Sequence, residues 1–475
     1  MILVVTLPTT AWTATSDATW LHLGAGYQSG TGGTNVIFSV DANPGATRTG
    51  TLTIAGQTLT VTQAGATYVQ TDTITTLFYC GQTGPFGVAV NGAGTVVYTA
   101  NADNSITQWL AASNTTSTTQ YGLAGPQGLR MDGAGNLYIA DAFNSAIKEK
   151  LAANGNVVPV VTSGLSLPFG EAVDAAGNLY IADNGSGSIY EWSVINGAVT
   201  PLVSGLYGPD DVAVDAAGNV YFANTGAQVV TEWSPATRGL TPLVSSGLNY
   251  PAGVAVDGAG NVFIADSLNQ QIKVWSAATH NVTTLASDVY SVKIAVDDGD
   301  NVYVGDTNPH AARELPYAFV DPTPRQEGLA GGSDALPAVV PATQNLLPPF
   351  APYSDQPSWL TITRVTNGVV GFSLAANPGA ARTGNIYVLG QAVPINQAGR
   401  PVLSVSPAPV NGGMQIAFTT TPGQTNFTVL ASTNVALPLS EWTPFGTPVE
   451  NPPGQYTFTA GPATNSQTFY ILRLQ

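Results

Sequence analysis

The chain has 475 residues, only 9% of them charged, and its 29 Asp and Glu against 13 Lys and Arg give a net charge of −16. An average soluble protein is about a quarter charged, so Thr, Ser, Asn, Gln and Gly must make this surface. With no Lys/Arg cluster in the sequence, nucleic acid and anionic membranes are excluded as partners. Cys80 is the single cysteine, which rules out an intrachain disulfide. No apolar run reaches the ~18 residues of a membrane span, and Met1–Val5 lacks the basic start and cleavage site of a secretory signal.

In chain order, residues 1–66 read as a β-sandwich. T-L-T-I and L-T-V-T alternate with period two around Gly56-Gln57, behind Trp20-Leu21 and the turn segment N-P-G-A-T-R-T-G from Asn43 to Gly50. Residues 67–316 hold six near-copies of one segment, which start at Pro85, Pro126, Pro168, Pro209, Pro251 and Ser291, 40 to 42 residues apart. Each copy splits into four short strands with an Asp-Gly-Ala-Gly-Asn type turn between the first two, the pattern of a propeller blade. The sixth copy supplies three strands. Residues 73–79 form an unpaired strand ahead of the first copy, and pairing it onto the sixth copy closes a six-bladed ring. Residues 317–400 repeat the sandwich pattern, with Trp359-Leu360, N-P-G-A-A-R-T-G from Asn377 and a terminal Q-A-G. Residues 401–475 alternate at Met414–Thr419, Phe427–Ala431 and Tyr456–Thr459 and close on Phe469–Leu474, a second kind of small sandwich.

The 41-residue segments resemble the NHL repeat. The turn slot holds Asn91, Asp132, Asp174, Asp215, Asp257 and Asp297, and the end of the second strand holds Asn101, Asp141, Asp183, Asn224, Asp266 and Asp306. The two flanking copies resemble the BACON module of secreted bacterial proteins through W-L, N-P-G-x-x-R-T-G and Q-A-G. The last module is similar to immunoglobulin or fibronectin domains. The expected fold is therefore all-β: a six-bladed NHL-type β-propeller with flanking β-sandwich domains. The first sandwich lacks a counterpart of the segment near 318–331. Either the chain is trimmed there, or a neighbouring molecule supplies the strand.

One face of the ring carries the loops that lead into the inner strands together with those between second and third strands, and it is the expected ligand face. Candidate ligand-binding residues there are Phe86, Gln127, Phe143, Phe169, Glu171, Asp210, Asp211, Tyr250 and Lys293, with Tyr207, Tyr290 and Asn184 beside them. Glu171, Asp211, Lys293 and Arg130 replace small or apolar residues of the other copies. Glu171, Asp210 and Asp211 make a candidate Ca²⁺ site through oxygen ligands; the alternative is that Glu171 pairs with Arg130. The three histidines, His22, His280 and His310, fall in different modules or loops and cannot assemble a three-ligand zinc site. No nucleophile elbow, Cys–His pair or phosphate loop occurs. Aromatic faces interleaved with amides suit uncharged glycans or extended peptides. The expected role is non-catalytic binding or adhesion outside a bacterial cell or on its surface, without a cofactor unless Ca²⁺ binds. The alternatives are a filament subunit that polymerises by strand complementation between copies, and a calcium-dependent lactonase or lyase acting in the funnel.

Overall fold

The computed structural model describes residues 2–4, 10–32, 34–81, 84–400, 402–407, 414–419, 427–450, 455–461 and 468–474. The chain divides into two units, 1–320 with 339–351 and 321–338 with 352–475. Residues 339–351 return to the first unit, where Val339, Leu346 and Phe350 are buried. No sequence repeat marks this excursion.

Six four-stranded antiparallel sheets form the propeller: blades 1–5 span 85–120, 126–161, 168–204, 209–244 and 251–287, and blade 6 spans 291–315. Their inner strands pack in succession, and Ser291–Val296 packs back against Pro85–Val90. Blade 6 takes its outer strand from Thr75–Tyr79, two residues shorter than expected, with Thr75 opposite Glu314 and Tyr79 opposite Ala311. The ring thus closes through a strand from the N-terminal side.

The repeated turn explains why each copy makes a hairpin. Asp132 Oδ1 accepts the amides of Ala134 and Asn136, and Oδ2 accepts the Asn136 side chain. Asp174, Asp215, Asp257 and Asp297 do the same in their own turns. A carboxylate satisfies the turn amides while a residue at positive φ reverses the chain. The core lies between blades rather than inside them. Between blades 4 and 5, for example, Tyr221, Ala223 and Val230 pack on Val254, Val262 and Ile264.

In the first sandwich Ala11–Ser16 pairs with Arg48–Ile54, which pairs with Gln57–Gln63, over a core of Trp12, Leu21, Val36, Leu52 and Ile54. The residues that carry the module resemblance are architectural. Arg48 lies 4.4 Å over Trp20 and bonds Gln63, and Arg382 lies 4.2 Å over Trp359 and bonds Gln397. The amides of Asn43 and Asn377 tie the turn to the last strand. The copies differ at one edge. Arg325–Glu327 lies parallel to Gln391–Gln397, but among the described residues nothing pairs with the outer edge of Gln57–Gln63. Leu59 is accordingly 40% exposed, whereas Val393, its counterpart, is 0% exposed.

The described residues of 401–475 hold two sheets. One orders Val402–Pro407, Met414–Thr419, Gln455–Ala460 and Val449–Glu450; the other orders Thr443–Gly446, Phe427–Ser432 and Phe469–Leu474. Phe418, Phe427 and Tyr456 form the aromatic centre.

Candidate functional site

The aspartates that recur at the end of the second strand build the loop face. Asp141 Oδ1 accepts the amide of Ala124, Asp183 accepts those of Ser166 and Leu167, Asp266 that of Asn249, and Asp306 that of Tyr290. Asn224 plays the same part for Tyr207. In blades 2 to 6 the second-strand end thereby clamps the loop leading into its own blade, whereas Asn101 of blade 1 bonds the side chains of Thr99, Ser105 and Thr107. Lys148, Lys273 and Arg313, on the third strands, neutralise Asp141, Asp266 and Asp306. The ring of carboxylates is buried and its oxygens are spent on loop amides and cations, so it offers little charge to a ligand.

What the clamped loops present is apolar. Phe143 is 68% exposed and Tyr207 76%, and Tyr250, Leu268 and Tyr290 stand exposed on the same set of loops. Two of these rings rest on glycine. A Cβ on Gly125 would lie 2.5 Å from the Phe143 ring, and one on Gly226 2.3 Å from Tyr207. Phe86, Gln127, Phe169 and Asp210 occupy the second position of their inner strands. The first three are half-buried; Asp210 is buried and accepts the Asn184 amide at 2.7 Å. Sequence reasoning missed Leu268. It sits two residues after Asp266, as Phe143 sits two after Asp141, so the repeat alignment itself carried the signal.

The charged departures lie deeper, on the inner strands. Glycine at the third position of one blade makes room for the next blade's carboxylate: a Cβ on Gly128 would meet Glu171 Oε2 at 2.2 Å, and one on Gly170 would meet Asp211 Oδ1 at 2.4 Å. Lys293 Nζ lies 3.4 Å from Asp211 Oδ1 and donates to the carbonyls of Asp210 and Ala252. Asp211 Oδ2 accepts the Val254 amide. Arg130 bonds the backbone carbonyls of Glu171 and Val212, not the Glu171 carboxylate. Both Glu171 carboxylate oxygens are buried without a hydrogen bond. Burial pushes this carboxyl up to about 8, against the pull of Arg130, so it is neutral at pH 7. Burial also raises Asp210.

Asp210 and Asp211 therefore have separate hydrogen-bond partners and the Glu171 carboxyl has none, with Lys293 held beside Asp211. Among the described residues, no group of three or more His, Cys, Asp or Glu stands in position to hold a metal ion. The histidines are dispersed: His22 meets Asp41 in the first sandwich, His280 stacks on Trp275, and His310 follows the second strand of blade 6. The chemistry this face offers is stacking and neutral hydrogen bonding.

Residues 10–64 match the BACON family model, described as "Putative binding domain, N-terminal", and residues 248–275 match the NHL repeat. No curated protein matches the chain in sequence. Solved structures similar to it include a structural-genomics protein from Bacteroides thetaiotaomicron, 14% identical over 62% of this chain and 90% of that one, with a TM-score of 0.48. A gluconolactonase from Xanthomonas campestris is 16% identical over 51% and 89%, with a TM-score of 0.45. A virginiamycin B lyase from Staphylococcus aureus is 12% identical over 52% and 88%, with a TM-score of 0.40. The six four-stranded sheets build a β-propeller, within which residues 248–275 match the NHL repeat, and residues 10–64, ahead of it, match the BACON model.

Proposed function

We propose that this protein is a non-catalytic binding protein that works outside the bacterial cell or at its surface, and that the loop face of the propeller holds an uncharged glycan or an extended peptide. The observation that carries this reading is the set of exposed rings on clamped loops: Phe143, Tyr207, Tyr250 and Tyr290, with Leu268. Large apolar side chains left in water on one face mark an interaction surface. Aromatic faces stack on sugar rings or peptide side chains at low cost in side-chain entropy. Asn184 and Gln127 add neutral hydrogen-bonding groups. The test is a glycan and peptide array probed with the intact chain and with a Tyr207→Ala, Tyr250→Ala double variant. Hits that disappear in the variant support the reading; hits that persist oppose it.

A second reading has one observation in its favour. Among the described residues, the outer edge of Gln57–Gln63 has no paired strand, where its counterpart in the second sandwich is covered by a parallel strand. An open edge of this kind is a template for β-addition, and copies joined through it would form a filament. Concentration-dependent growth in size-exclusion chromatography and negative-stain images would support that arrangement, and a monomer at high concentration would end it.

A further inference from the structure

Five of the six blades share a polar pair on their second and third strands: Tyr98 opposite Gln108, Tyr138 opposite Glu149, Tyr180 opposite Glu191, Tyr221 opposite Glu232, and Tyr303 opposite Glu314. Blade 5 has Phe263 opposite Val274. A cavity of about 210 Å³ opens at this spot, between blades 5 and 6, with Phe263, Val274, Leu285 and Leu315 in its lining. Two further departures line the same cavity from blade 6. The turn slot that is glycine in blades 1–5, at φ of 66° to 89°, is Asp300 at φ 62°. The residue whose amide bonds the turn asparagine is Ala152, Val194 or Ala277 elsewhere and Tyr317 here.

These changes act together. Loss of the tyrosine–glutamate pair makes the lining apolar at its base. Placing aspartate in a left-handed conformation costs roughly 1 kcal/mol relative to glycine and sets a carboxylate at the rim. Asp257 and Asn261, also at the rim, spend their side-chain oxygens on turn amides. Among the described residues, the Asp300 carboxylate accepts no hydrogen bond from the protein. Burial, followed by the negative charges of Asp257, Asp297 and Asp298, raises it to about 6 against the pull of the positive amino terminus, and no Lys, Arg or His lines the cavity. An apolar base under a carboxylate that no described residue hydrogen-bonds, with Asp257, Asp297 and Asp298 adding negative charge around it, is complementary to a cation on an apolar stem.

We propose that the cleft between blades 5 and 6 binds a primary ammonium group on a short apolar stem, with the Asp300 carboxylate as its acceptor and Tyr317 as one wall. The site is separate from the loop face and does not depend on that reading. The test is calorimetric titration of the intact chain with n-butylammonium, with Nα-acetyl-lysine methylamide, and with neutral 1-butanol. At least one ammonium probe is expected to bind, at least about tenfold more tightly than 1-butanol. Binding of butylammonium alone assigns the site to free small amines, and binding of the lysine probe assigns it to lysine side chains. Asp300→Asn and Asp300→Gly are expected to weaken ammonium binding by about tenfold or more. The glycine variant restores the residue of the other blades, and its melting curve shows that the fold is intact. Absence of ammonium binding in the millimolar range, equal binding of 1-butanol, or unchanged binding in both variants overturns the proposal.

Discussion

Glu171 shows how far one residue departs from its surroundings. Its carboxyl is buried with neither oxygen bonded, and Arg130, the nearest candidate partner by sequence, turns to backbone carbonyls instead. Its value of about 8 in the fold lies above the ordinary 4.5. The contribution it makes to stability is therefore complete below about pH 4.5 and is lost as pH rises through about 8. Glu314, raised to about 8 by burial and by Asp297, follows the same course. Urea unfolding should find Glu171→Gln close to wild type at pH 5 and more stable than wild type at pH 9 by roughly 1–3 kcal/mol. A Glu171 ion-paired with Arg130 would give the opposite result, a loss at both pH values. The clamping aspartates act in the other direction. Asp183→Ala removes the acceptor for two loop amides and should cost roughly 1–3 kcal/mol in the same assay. These aspartates were legible in the sequence because they recur with the turn chemistry. The engagements of Glu171, Asp211 and Lys293 were not, since which group a central charge meets depends on strands some 40 to 80 residues apart.

At the scale of elements, closure of the ring rests on Thr75–Tyr79, where Leu77 and Phe78 are buried against blade 6. Phe78→Ala should lower stability by about 3–5 kcal/mol, measured as a shifted denaturation midpoint. A midpoint unchanged within error would mean that the closing strand is dispensable. That strand was readable because the sixth copy visibly runs short of one strand. The blades were readable for a related reason: every copy carries its own turn aspartate and its own alternation. The return of 339–351 to the first unit had no such signal, for it is a single excursion without periodicity. The cavity between blades 5 and 6 was hidden for a subtler reason. Phe263 and Val274 are ordinary strand residues, and their meaning lies only in the Tyr–Glu pairs they replace across a hydrogen-bonded register.

For the whole molecule, a charge-poor, acidic composition and an aromatic loop face point the same way. Affinity has to come from stacking and neutral hydrogen bonds, so binding should be nearly insensitive to salt. A change from low ionic strength to about 0.5 M NaCl should alter the affinity of a loop-face ligand by less than about threefold, because charge screening has little to act on. The most direct test of the central claim is a quantitative binding curve for the strongest array hit, measured on the wild type and on a Phe143→Ala, Tyr207→Ala, Tyr250→Ala triple variant with matching melting curves. The expected result is a loss of affinity of at least about a hundredfold in the variant, as exposed aromatic anchors contribute about 2 kcal/mol or more each when they act as hot spots. Equal affinity in the two proteins, or no hit on any glycan or peptide surface, would contradict the assignment of the loop face as the binding site.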